Sequence, residues 1–209
     1  MKHLKILLLF LLFSFSACGT LTYSNLDLNL QQNNQNKKIA IAVLDKRPYI
    51  LNLSKSKSYV AIIRGVYGNP WHRYLTSGLP LSTELTTSLK TSFEKSGYIV
   101  ESINLSENLE ISSKDAALKF RETGASKILI FSLNEWRSDT YANSWFMYDV
   151  NLDVYDNHGK LLSKENILGK DEVKGSFWWP WVYETRVPAY SKTVLERLIE
   201  KENIQKALK

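Results

Sequence analysis

Lys127–Leu133 reads KILIFSL, an almost unbroken apolar run. A strand with one face in water alternates apolar and polar residues, whereas a run apolar on both parities needs cover on both faces. Ile39–Leu44, IAIAVL, repeats the pattern. Both runs therefore read as strands inside a sheet that carries helices. Each ends in a polar tetrad, Asp45-Lys46-Arg47-Pro48 after the first and Asn134-Glu135-Trp136-Arg137 after the second. These tetrads read as loops.

Helices separate the strands. After Pro80, the residues Leu81, Leu85, Leu89 and Phe93 recur every four positions against Ser, Thr, Glu and Lys, and Gly97 stops the pattern. Tyr98–Ile103 reads as a strand. Ser112 or Ser113 can cap a second helix over Lys114–Thr123, which Gly124 ends. From Asn143 the period changes to two: Phe146, Tyr148, Val150, Leu152 and Val154 on one face, Met147, Asp149, Asn151, Asp153 and Tyr155 on the other. Asp156-Asn157-His158-Gly159 turns the chain into a partner strand over Lys160–Gly169. Tyr190, Val194, Leu195, Leu198 and Ile199 give an amphipathic C-terminal helix. Upstream, Leu26, Leu28 and Leu30 alternate with Asp27 and Asn29 as a short first strand, and Tyr59–Arg64 reads as another. Strands joined through helices run parallel, and hairpin partners antiparallel. The fold class is therefore α/β (α+β): one mixed sheet with helices packed on it, an antiparallel C-terminal hairpin and a C-terminal helix.

The N-terminus has the parts of a secretory signal: Lys2 and Lys5, the apolar run Ile6–Phe15, and the small pair Ser16-Ala17. The run is shorter than the roughly 20 residues a spanning helix needs. Cys18, the sole cysteine, follows at once. Phe15-Ser16-Ala17-Cys18 resembles a bacterial lipobox, with Phe in place of the usual Leu. The resemblance implies that Cys18 is diacylated on sulfur and becomes the first mature residue, and Gly19 after it favours the outer membrane. The expected organisation is a signal peptide at 1–17, a lipidated segment and linker at 18–36, and one domain at 37–209.

The chain carries a formal charge of +6, part of it in the signal lysines. Its basic residues are scattered, which argues against a nucleic-acid partner. With Cys18 acylated, no thiol remains for disulfides or metal. Two histidines survive outside the signal, His72 and His158, so classical triads and zinc sites lack parts. No metal or cofactor is expected. Asp149, Asp153 and Asp171 are the carboxylates that acid–base work on a glycan could use.

The stretch DKRPYI, the RGVYGNP loop, TSGLPL before a helix, and EWRSDTY ahead of a long strand resemble a group of bacterial envelope lipoproteins. The implied topology is similar to that of YajG-type lipoproteins and, more distantly, of transport auxiliary lipoproteins. The resemblance implies an envelope location and transfers no catalytic residue.

Three surfaces stand out as candidates. Asp45, Arg47, Glu135, Arg137 and Asp139 follow apolar strands and share one rim if those strands are parallel neighbours, where open α/β sheets bind ligands. The loop after Arg64 holds Tyr67, Asn69 and Trp71 among turn-forming glycines, without the spacing or lysine of a phosphate loop. SFWWPW, Ser176–Trp181, concentrates Trp178, Trp179 and Trp181, and Pro180 and Pro188 read as barring a continuous helix across it. Together these features point to a lipid-anchored module that binds another envelope protein. The alternatives are a ligand-binding lipoprotein taking a lipid, glycan or peptide, and a glycan-active enzyme.

Overall fold

A computed structural model describes residues 21–32, 36–174 and 180–209, the side chains of 180–184 apart. The elements run β1 (Lys38–Asp45), α1 (Pro48–Leu51), β2 (Tyr59–Arg64), β3 (Pro70–Tyr74), α2 (Leu81–Lys95), β4 (Ile99–Ser102), α3 (Ser113–Leu118), β5 (Lys127–Thr140), β6 (Ser144–Asp156), β7 (Leu161–Glu172), α4 (Pro180–Ile199) and α5 (Glu202–Leu208). The seven strands form one mixed sheet, curled into a half-barrel. No helix among the described residues is long and apolar enough to cross a membrane.

The long strand β5 organises the sheet. Along one edge it pairs in parallel first with β1, from Ile39↔Lys127 to Asp45↔Leu133, then with β2, from Ala61↔Ser138 to Ile63↔Thr140. Its other edge carries the antiparallel β6, which pairs in turn with β7. The continuous apolar runs have the expected cause. In β1, Ile39, Ile41 and Val43 join the large core, while Ala40, Ala42 and Leu44 face a smaller one with Ala116, Ala117 and Phe120. Small alanines let α3 approach closely. Ser112 caps α3 by accepting from the Asp115 amide (3.1 Å).

Four expectations change. Residues 134–140 do not close β5 but continue it, because a bulge between Leu133 and Glu135 shifts the alternation by one residue. Trp136, Ser138 and Thr140 then turn inward, and Glu135, Arg137 and Asp139 outward. Part of the glycine-rich loop is the edge strand β3, antiparallel to β2 and exposed at all five residues.

Leu26–Leu30 is not a strand, although Leu26 and Leu28 are buried as alternation suggests. Side chains of α2 meet its backbone instead of a sheet ladder. Ser88 and Ser92 donate to the Leu26 carbonyl (2.9 and 3.0 Å), and Leu28 donates its amide to Ser92 Oγ (3.1 Å). A segment expected as linker thus packs into the core beside Leu21 and Tyr23.

Finally, α4 runs through Pro188. Pro180 stands at its first residue, where the missing amide hydrogen has no partner to lose. The interior proline costs about 3 kcal/mol. Burial of Val187, Val194, Leu195, Leu198 and Ile199 offsets it, at about 1.5–3 kcal/mol for each large side chain.

Candidate functional site

Because β1 and β2 lie end to end along one edge of β5, a gap opens between them opposite residues 134–137. Arg47 fills it. Its guanidinium pairs twice with Asp45 (Nε–Oδ1 2.8 Å, Nη2–Oδ2 2.7 Å). It also donates to the carbonyls of Tyr59 (2.6 Å), Trp136 (3.2 Å) and Lys57 (3.3 Å). Strand ends that would otherwise lack ladder partners are thereby satisfied, as buried backbone requires. Both Asp45 and Arg47 are buried. The crevice where the sequence placed a ligand is occupied by the protein's own side chain.

On the outer face of this gap, α1 lays Tyr49 over the cations. Its ring centre is 5.4 Å from the Arg47 guanidinium and 5.8 Å from that of Arg137, and its hydroxyl donates to Glu135 Oε1 (2.5 Å). Burial pushes the Tyr49 phenol far above its ordinary value. Glu135 also pairs with Arg137 (3.3 Å). Tyr49 meets Tyr59 edge-on at 5.3 Å, and Tyr59 in turn meets His72 (5.6 Å) and Tyr74 (6.0 Å) on β3. Edge-to-face pairs of this kind contribute about 0.5–1.5 kcal/mol each beyond burial. The chain of rings ties the exposed edge strand to the buried arginine.

The β2–β3 turn is braced separately. Arg64 clamps Asp139 with two bonds (2.8 and 2.6 Å), fixing the end of β2 on β5. Gly68 takes φ +79°, a conformation side chains rarely adopt, and Gly65 and Asn69 close the turn (N–O 3.0 Å). Tyr141, in the β5–β6 turn, donates its hydroxyl to the Val66 carbonyl (3.1 Å). On this fixed tip Val66 is 74% exposed, Tyr67 92% and Trp71 62%, and Tyr141 is exposed beside them. The Trp71 indole lies over Gly65, 3.5 Å from where a Cβ would stand. Apolar side chains grouped in this way mark interaction surfaces more often than isolated ones do.

The predicted residues therefore separate. Tyr67, Asn69 and Trp71 share the exposed hairpin; Glu135, Arg137 and Asp139 line the outer face of β5; Asp45 and Arg47 lie beneath. Trp178 and Trp179 lie outside the described residues, and Trp181 falls in α4 with its side chain outside them. Missed from sequence were Val66 and Tyr141, whose place on the tip depends on the β5–β6 turn reaching it.

The carboxylates stand apart, each with its own donors. Asp149 accepts from Asn166 (2.7 Å), Asp153 from Ser113 (2.5 Å), and Asp171 from Tyr148 (2.7 Å) and Tyr190 (2.6 Å). Among the described residues, no group of three His, Cys, Asp or Glu could hold a metal ion.

No protein-family model matches the chain, and no curated protein matches it in sequence. Among solved structures it is similar to protein XCC0632 from Xanthomonas campestris, of the DUF330 family. The identity is 10% and the TM-score 0.53, over 87% of this chain and 96% of that one. Lipoprotein GNA1162 from Neisseria meningitidis matches at 11% identity and TM-score 0.41, over 77% and 96%. The LpoB C-terminal domain from Salmonella enterica matches at 9% and 0.31, over 70% and 87%. The last two are too distant to carry an argument. The first shows a shared fold and no more than that.

Proposed function

We propose that the chain is a cell-envelope lipoprotein, acylated at Cys18 and held at the outer membrane. In this reading it works as a non-catalytic module that docks another envelope protein through the β2–β3 tip. The observation that carries the reading is the tip itself: Val66, Tyr67, Trp71 and Tyr141 exposed together on a turn fixed by Arg64–Asp139 and Tyr141. Rigid aromatic anchors lose little conformational freedom on binding and are the usual centres of binding energy in interfaces. A ligand at the carboxyl edge of β1 would have to break the five hydrogen bonds that Arg47 makes to Asp45, Lys57, Tyr59 and Trp136, which favours docking over the ligand-binding alternative.

The test is capture of the native lipoprotein from gently solubilised envelopes beside a Tyr67→Ser/Trp71→Ser variant. Both side chains are exposed, so the variant keeps the native unfolding midpoint. A protein retained by the native chain and reduced tenfold or more with the variant supports the reading. The same protein retained equally by both contradicts it.

A further inference from the structure

The structure fixes where the chain leaves the domain toward Cys18. Leu21 and Thr76 exchange two hydrogen bonds, Leu21 N to Thr76 Oγ1 (2.8 Å) and Thr76 N to the Leu21 carbonyl (3.0 Å). Glu84, buried on α2, clamps both sides of this junction. It accepts from the Tyr23 amide (2.5 Å), Thr22 Oγ1 (3.0 Å) and Ser77 Oγ (2.5 Å). The exit of the N-terminal segment and the turn after β3 are therefore one unit.

Cys18 stands three residues before Leu21, and three residues span at most about 11 Å fully extended. An acylated Cys18 therefore holds Leu21 within about that distance of its lipid anchor, and Thr76, bonded to Leu21, beside it. The surface around Thr76 suits such a position. Tyr74 and Leu79 are exposed at 45% and 49%, Ser77 and Gly78 are exposed between them, and Arg73 is exposed nearby. Tyrosine ranks among the residues favoured at the headgroup level, and basic side chains add attraction to anionic lipid.

Resting on the anchored reading above, we infer that Tyr74 and the turn Thr76–Leu79 seat on the bilayer surface and orient the domain there. The hairpin tip then lies farther along β3: four residues from Tyr74 to Pro70 cover about 14 Å at strand spacing. The short tether makes this face the membrane side, and the tip the side offered to a partner.

The experiment uses the full lipidated protein in phosphatidylethanolamine/phosphatidylglycerol vesicles. Acylation consumes the Cys18 thiol, so single cysteines placed by Leu79→Cys, Tyr67→Cys or Leu168→Cys take an environment-sensitive fluorophore selectively. All three side chains are exposed, so folding is not at stake. Headgroup spin-labelled lipid is expected to quench the Leu79 probe at least threefold more than the Leu168 probe on β7, with the Tyr67 probe at the lower level. Equal quenching at Leu79 and Leu168 in protein that floats with the vesicles overturns the orientation and leaves the anchor standing. Protein that fails to float overturns the anchor, and the orientation with it.

Discussion

Arg47 shows how one side chain can close a break in a sheet. Replacing it by methionine keeps much of the volume but leaves the Asp45 carboxylate buried without its cation, and the Tyr59 and Trp136 carbonyls without donors. Removing one partner of a buried ion pair typically costs about 3–5 kcal/mol. Urea unfolding of Arg47→Met should show a loss of that order; a loss below 1 kcal/mol would mean the gap is closed some other way. Asp171 gives a pH-dependent counterpart. Hydrogen bonds from Tyr190, then Tyr148, hold its carboxyl below the ordinary 3.8. Burial, then Asp171, pushes the Tyr190 phenol up to about 12. A depressed folded-state value stabilises above the unfolded pKa and is lost as pH falls through the folded one. Stability should therefore drop below about pH 4, and Asp171→Asn should flatten that part of an acid-unfolding profile. At this scale the sequence was legible in position and not in burial. Asp45 and Arg47 stand at the end of β1 as expected, yet only the end-to-end docking of β1 and β2 on β5 encloses them, a contact between distant segments.

Two elements show why alternation alone misleads. The polar residues of Asn134–Arg137 read as a loop because one bulged residue breaks the period. The pattern resumes in the other phase at Trp136, Ser138 and Thr140, and that resumption is the signal that β5 continues. In the N-terminal segment, alternation correctly marks Leu26 and Leu28 as buried, but a helix takes up the backbone. The signal lies in α2, where Glu84, Ser88 and Ser92 recur every four residues beside the leucine stripe and are buried with it. A polar stripe of that kind needs hydrogen-bonding partners, and the segment before β1 supplies them. Glu84→Ala should release it. Bonds to a charged acceptor contribute about 1.5–3 kcal/mol each net, so with three of them lost a loss of at least about 4 kcal/mol is expected. Amide exchange at Tyr23 and Leu28 should accelerate more than exchange in β5. Uniform acceleration across both would place Glu84 in the general core rather than at this junction.

At the scale of the whole molecule, the parallel centre, the β6–β7 hairpin and the helical cover were all legible, because burial on both faces of β1 and β5 leaves few other architectures. The edge strand β3 was not, since Pro70–Tyr74 is exposed throughout and carries no burial pattern to read. The same property makes it a candidate surface. A domain whose core is closed by Arg47, and in which Asp149, Asp153 and Asp171 are each engaged, presents its candidate surface outward, at a braced aromatic tip. The direct measurement is site-specific photo-cross-linking in intact cells, with a photoreactive side chain at Tyr67 and, as control, at Leu168 on β7, which is also exposed. A discrete cross-linked envelope protein is expected at Tyr67 and none at Leu168. No adduct at Tyr67, or the same adducts at both positions, would contradict docking at the tip.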